Sequence, residues 1–224
     1  MKNWTPSFAR AALVALAFTA LPVLAQTEQQ KLVNAAQATL SNFLRDPEMK
    51  WLQNNIGRAK AVLIAPEVAK AGFIVGGSGG RGLLLSRDAA GKWSGPAFYT
   101  LATASVGFQA GISVSEMITL VMTDKGVNAM LSSSFKFGGD ASVAAGPVGA
   151  GAKSDITTDL LTFSRSKGIY GGLNLDGTVL STNDEWNTAY FGKKVLPPDI
   201  LVRMNVSNAQ AEKLLAEISK ATAK

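Results

Sequence analysis

The chain contains neither cysteine nor histidine among its 224 residues. Without thiols there is no disulfide framework, no thiolate metal site and no cysteine to carry the acyl chains of a lipoprotein. Without imidazole the commonest ligands of zinc, copper and haem are missing. Only carboxylates could hold a hard cation, and their spacing shows no calcium-loop pattern. The same absence excludes a Ser-His-Asp triad. Charge is sparse, 17% of residues against 47% hydrophobic, which describes a globular chain able to bury one substantial core. Beyond residue 25 no apolar run approaches the ~20 residues of a membrane-spanning helix.

The first 25 residues read as a separate unit. Lys2 and Arg10 stand there without an acid, Ala11 to Leu24 is apolar, and Val23-Leu24-Ala25 fits the small-x-small rule for a secretory signal cut after Ala25. A single domain over residues 26–224 is expected to remain. Lys2 and Arg10 leave with the signal, so 20 basic residues face 16 acids and the charge falls from +6 to +4. That excess is too mild to argue for nucleic acid, and it suits anionic lipid head groups only where the charges cluster.

What the chain does have is glycine, concentrated in Ala71–Phe98, AGFIVGGSGGRGLLLSRDAAGKWSGPAF. Glycine at this density either opens an anion-cradling loop or lets backbones lie very close together. Gly76-Gly77-Ser78-Gly79-Gly80 satisfies G-x-S-x-G, but that motif needs a strained strand-to-helix turn and a base to activate Ser78. Gly77 to Gly82 satisfies G-x-G-x-x-G, yet Leu83-Leu84-Leu85 and a polar turn follow where a dinucleotide site needs a long helix and a ribose-binding acid. No catalytic residue, metal or cofactor is assigned, and the chain reads as non-enzymatic.

The wider succession of motifs resembles the SYLF family of lipid-binding domains. It runs from Ala59-Lys60-Ala61-Val62-Leu63-Ile64 through Gly72-Phe73, Gly76-Gly77, Gly80, Gly82-Leu83-Leu84 and Trp93-Ser94-Gly95-Pro96-Ala97-Phe98. It continues through Gly139 to Gly149, Ser164-Arg165-Ser166-Lys167-Gly168, Gly171-Gly172 and Tyr190-Phe191-Gly192, covering about residues 30–192, with a helical extension over 197–222 beyond it. The resemblance implies a lipid-binding module. For eukaryotic members it also implies phosphoinositide and actin binding through an amphipathic N-terminal helix; the export signal here looks bacterial and removes actin as a natural partner.

In chain order, Thr27 to Leu44 has helical spacing, with Thr27 as cap and Gln30 as its box partner. Pro47 starts a second short helix over 48–56. Short strands are expected at 61–64 and 72–75, then a hairpin of 83–87 with 93–101 turning at Gly91. Residues 105–115 alternate as a further strand, 117–122 read as a central one, and Thr123-Asp124 caps a helix over 125–131. Residues 133–153 alternate with Pro147 at a bulge or edge. Strands follow at 160–166 and 168–175, with Asp176-Gly177 turning the latter into 178–180 as a hairpin. Helices follow at 182–190, at Pro197-Pro198 and over 207–220. Trp51, Trp93, Trp186, Tyr99, Tyr170 and Tyr190 read as core or rim packing. The sum is an α+β domain with a mostly antiparallel, twisted or barrel-like sheet and short flanking helices at both ends. An outer-membrane barrel is disfavoured because the strands read shorter than the nine to eleven residues needed to cross.

Arg81, Arg87, Lys92, Arg165 and Lys167 are the candidate lipid-binding residues, on the expectation that two glycine-rich hairpins share a face. Each cation on such a face contributes about 1 kcal/mol near an anionic surface. The expected ligand is an anionic phospholipid membrane surface met outside the cytoplasm, in the periplasm or outer envelope. The alternatives are an envelope module binding a protein or glycan, and a hydrolase using Ser78.

Overall fold

A computed structural model describes residues 26–72, 75–106, 111–149, 158–166, 169–170 and 177–223. Helix α1 (Glu28–Arg45) and α2 (Lys50–Asn55) lead into four long strands, β1 (Ala61–Gly72), β2 (Val75–Arg87), β3 (Trp93–Val106) and β4 (Gly111–Val121). Then come α3 (Asp124–Met130), β5 (Ser134–Lys136), β6 (Val143–Ala145), β7 (Leu160–Ser166), β8 (Ile169–Tyr170) and β9 (Val179–Thr182). Three helices close the described chain: α4 (Asp184–Phe191), α5 (Pro197–Leu201) and α6 (Glu212–Thr222). The strands form one sheet in the order β5-β9-β3-β2-β1-β4-β7-β6, with β8 on β7; it is curled into a half-barrel and is antiparallel except for β6 on β7. The expected fold class is the observed one.

Both faces of this sheet are packed. Because side chains alternate along a strand, Val62, Ile64, Leu83, Leu85, Ile118 and Leu120 point to one side and Ala61, Leu63, Leu84, Met117 and Val121 to the other. The first side is covered by α1, α2, α4 and α6 through residues such as Val33, Leu40, Phe43, Leu52, Tyr190 and Leu214. The second is covered by α3, β5 and α5 through Met130, Phe135, Phe137 and Ile200. Trp51, Trp93, Tyr99 and Tyr190 are core residues, as expected.

Helix α1 lays Val33, Ala36, Leu40 and Phe43 on the sheet at alternating spacings of three and four, and Thr27 caps it by accepting from the Gln30 N–H at 3.2 Å. The expected return half of the capping box is not made. The Gln30 side chain instead donates to Asn34 at 2.8 Å and to the Gln210 carbonyl at 3.3 Å, tying the start of α1 to the start of the last helix. Around α2 the chain is mixed, with 3₁₀ turns over Pro47–Met49 and Ile56–Arg58.

The largest departures from expectation concern the strands. The short runs at 61–64 and 72–75 belong to two strands of 12 and 13 residues, and β3 and β4 run for 14 and 11. Strand length therefore no longer argues against a barrel; the packed protein on both faces of the same strands does. Pro66 is absorbed by a bulge, where the pairing of β1 shifts between Ile64 and Glu67 on β2 and between Ala65 and Val68 on β4. Residues 105–115 are not one strand, since Val106 ends β3 and Gly111 begins β4, with 107–110 outside the described residues. Within 133–153 only β5 and β6 are strands among the described residues, and Pro147 follows edge strand β6. The turn at Gly177, φ +79°, leads to β9, which pairs with β3 and β5, whereas β8 pairs with β7 across the sheet. The expected hairpin partners of Asp176-Gly177 are thus on opposite wings; residues 171–176 lie outside the described residues. Asn183, not Thr182, caps α4 by accepting from the Trp186 N–H.

The glycine run is strand, not loop. Gly76 to Gly82 lies within β2, laddered to β1 on one side and β3 on the other. Gly80 stands where the β1 bulge folds inward: a Cβ built there would lie 2.4 Å from the Glu67 carbonyl oxygen. At Gly79 the nearest atom, the Leu101 carbonyl oxygen, is 3.5 Å away. Gly80→Ala is accordingly expected to destabilise the fold by about 2 kcal/mol through backbone displacement, while Gly79→Ala is neutral or slightly stabilising. Urea unfolding of the two variants checks the contrast.

A second tie joins three loops. The Asp159 carboxylate accepts from Thr123 Oγ1 at 2.6 Å, Ser142 N at 3.0 Å and Ser142 Oγ at 2.8 Å, with Lys125 Nζ at 3.4 Å. The Thr123 hydroxyl, then the Ser142 N–H, hold its pKa well below the usual carboxylate range. A depressed folded pKa contributes stability that is present above the unfolded value of about 3.9 and is lost as pH falls through the folded one. Thermal unfolding between pH 2 and 6 should therefore show a shallower acid-side loss in Asp159→Asn than in the parent protein, from a lower starting stability.

Candidate functional site

Two open clefts lie toward opposite ends of β2, the first on the side of the sheet that carries α1 and the second toward α3 and α5. Arg81 belongs to one and Arg87 to the other; six residues of strand separate them, about 20 Å. The first cleft, about 770 Å³, opens between α1 and the glycine end of the sheet. Its wall is Leu32, Ala35, Ala38 and Thr39 of α1, and its floor includes Ala69, Gly79, Gly80 and Leu101. The helix offers alanine where the sheet offers glycine, so the two do not meet and a gap remains. Arg81 lies 4.6 Å over the Trp186 ring, and Glu67 is its direct cross-strand neighbour. Glu28 pairs with Lys31 at 2.7 Å, which holds the Glu28 carboxyl below its ordinary range, with a further contribution from Arg81. Glu28, Glu67 and Glu116 line it against Lys31 and Arg81, so the cleft is not a basic seat.

The second cleft, about 740 Å³, lies at the other end of β2 and is lined by Arg58, Lys60, Arg87, Asp88, Asp124, Val202 and Met204, with others. Its three cations come from the turn after α2, the start of β1 and the end of β2. Arg87 donates to the Gly57 carbonyl at 2.8 Å and lies 5.7 Å from the Trp93 ring centroid. Lys60 bridges both oxygens of Asp124 at 2.8 Å. Asp88 spends one carboxylate oxygen on the N–H groups of Ala90 and Lys92 in the hairpin turn, at 2.9 and 2.8 Å, where Gly91 adopts φ +85°. Lys92, in that turn, is exposed. Val202, 56% exposed, places an apolar side chain on the same rim.

Arg165 is used differently. From β7 its guanidinium donates to Glu116 on the neighbouring β4, reaches Asp46 at 3.5 Å and lies 5.7 Å from the Phe43 ring centroid. Glu116 also accepts from Thr39 of α1 at 2.9 Å. The group pins the C-terminal half of α1 to the sheet. Arg81 and Arg165 stand three strand spacings apart, about 14 Å. Lys167 lies outside the described residues. The structure thus joins Arg87 with the nearby Lys92 hairpin and sets Arg81 and Arg165 elsewhere, with no single face uniting the four. Sequence reasoning missed Arg58, Lys60 and Val202, because the chain brings them together only through the pairing of β1 with β2 and the return of α5.

Ser78 sits in mid-ladder opposite Lys70 and Thr103. No strand-to-helix turn exposes it, and the ladders on both sides use the backbone N–H groups that an oxyanion hole would require. The geometry instead defines an α+β module built on a curled, mostly antiparallel sheet.

Comparison with known proteins places this module. The chain belongs to the Ysc84 (SYLF) family, whose profile, described as "Las17-binding protein actin regulator", matches residues 102–221. It is 32% identical to the human SH3 domain-containing YSC84-like protein 1 over 174 residues, 75% of this chain and 51% of that protein; the bovine protein matches to the same extent. It is 29% identical to LAS seventeen-binding protein 3 of Saccharomyces cerevisiae over 142 residues, 60% of this chain and 31% of that one. The chain therefore spans about half, or less, of the curated relatives it matches.

Breaking the Arg165 group separates anchoring from ligand contact. Arg165→Ala should cost about 1–3 kcal/mol, because Glu116 is left half-buried without its cation. Hydrogen exchange should rise along the last turns of α1, with the rest of the sheet unchanged.

Proposed function

We propose that this chain is a non-enzymatic module that docks on anionic phospholipid surfaces through the cleft of Arg58, Lys60 and Arg87, assisted by Lys92 and the exposed Val202. One observation carries the reading: three cations from three separate elements line one rim against two carboxylates, Asp88 held by its own turn and Asp124 paired with Lys60, which leaves cations in excess. Such a rim draws head-group phosphate by charge while Val202 contacts the interface. Family membership supports a binding role, and the export signal read at residues 1–25 puts the surface outside the cytoplasm.

Co-sedimentation with phosphatidylglycerol and with phosphatidylcholine vesicles tests this. Binding should be confined to the anionic vesicles and fall steeply between low and high salt. At about 1 kcal/mol per charge, Arg58→Ala combined with Lys92→Ala should weaken it roughly 30-fold. Equal association with both vesicles would defeat the proposal, as would anionic binding indifferent to the double variant; a protein-binding module would retain neither vesicle. Intact mass of the secreted protein reports whether residues 1–25 are removed.

A further inference from the structure

The glycine end of the sheet carries two different faces. On the side of α1, successive cross-strand rows can be read directly from the pairing. Arg81 stands between Glu67 and Thr100, with Glu116 beyond the bulge. The next row is Val114, Ala69, Gly79 and Ala102, and the one after is Ile112, Ala71, Gly77 and Ala104. Two consecutive rows of four are thus wholly apolar, with glycine or alanine at every position except Val114 and Ile112 on β4. Their alanines are exposed, and Ile112 is 82% exposed. The opposite face of the same strands presents Lys70, Ser78, Thr103 and Ser113. This floor continues out of the 770 Å³ cleft beneath α1. Six of its eight positions are glycine or alanine, so the floor stays open to an apolar ligand.

Its size and charge select the occupant. Four strand spacings by two rows is on the order of 200 Å², far below the ~800 Å² per partner of a stable protein interface. From the Arg81 row to the Ile112 row is about 13 Å, the reach of a medium-length hydrocarbon chain lying along a floor that offers no obstructing side chains. At the inner end, Arg81 makes no ion pair among the described residues and is held by the Trp186 face, leaving its N–H donors oriented and available. Glu67 stands beside it at the spacing of a cross-strand pair, ~5 Å. An isolated cation would select an anion; a cation and a carboxylate at that spacing select a head with both signs.

We propose that this cleft binds a single-chain zwitterionic amphiphile, its phosphate on Arg81, its ammonium on Glu67 and its hydrocarbon chain on the Ala69–Gly79–Ala102 floor toward Ile112. The site is distinct from the basic rim around Arg58, and neither depends on the other.

Titration calorimetry with lysophosphatidylethanolamine, kept below its micelle concentration, tests the assignment on the purified protein. One molecule should bind per chain, about tenfold tighter than lysophosphatidylglycerol of the same chain length, and glycerophosphoethanolamine without a chain should not bind measurably. Arg81→Gln and Glu67→Gln should each cost about tenfold, and Arg58→Ala nothing. Gly79→Leu, placed where a Cβ meets nothing closer than 3.5 Å, should fill the floor and abolish binding; Ala102→Leu does the same should that variant fold poorly. Equal affinity for the two lysolipids, or full binding by a folded floor-filled variant, would overturn the assignment. Loss in Arg58→Ala alone would return the ligand to the other cleft.

Discussion

The structure depends on one close approach, that of the β1 bulge to β2. Pro66 cannot donate to a ladder, so the chain must leave regular pairing there. It does so by folding the Glu67 carbonyl toward β2, into space that exists only because residue 80 has no side chain. The register of β1 shifts here against both neighbours, and bulges increase local twist. Below the bulge the strands are packed on both faces by large residues such as Leu83, Phe98 and Phe163. Above it they carry glycine, alanine, serine and threonine.

That division sets the functional geography. Helix α1 is held at its far end by Arg165, Glu116 and Asp46 and packed on the sheet by Val33, Ala36, Leu40 and Phe43, while a gap remains between its Leu32–Ala35–Ala38 side and the glycine end of the sheet. The first cleft is the consequence. The second cleft has another origin: the β2–β3 turn, the start of β1 and the loop after α5 meet at the opposite end, and polar side chains line the gap between them. Charge thus differs locally between the two ends of β2, with more carboxylates than cations lining the first cleft and more cations than carboxylates lining the second. The mild overall excess of basic residues says nothing about either, since net charge averages over sites that local pairing distinguishes.

Family relationship and geometry bear on different questions. Relatives named for Las17 binding and for SH3 domains are longer proteins, and this chain matches about half or less of them. The family profile matches residues 102–221 of this chain. The two clefts belong to this chain's own residues, with Arg58, Lys60, Arg81 and Glu67 as the ones that give them chemical character.

Much was legible in the residues themselves. The periodicity of Val33, Ala36, Leu40 and Phe43, the caps at Thr27 and Thr123, the Gly91 turn and the run Leu160–Ser166 are local features, and local physics decides them. The exclusions drawn from absent cysteine and histidine are equally secure, because chemistry that lacks its atoms cannot be restored by folding. What tertiary structure alone decided was adjacency. Strand β9 leaves its sequence neighbour β8 for β3 and β5, Pro66 sits inside a long strand, and Arg81, Arg87 and Arg165 go to three different places. Each of these outcomes turns on contacts between residues far apart in the chain, whose energies depend on register and packing that no local pattern carries. Glycine was the most ambiguous letter, since freedom of the backbone permits both a loop and a tightly apposed strand, and only the β1 bulge arriving opposite Gly80 selected the second.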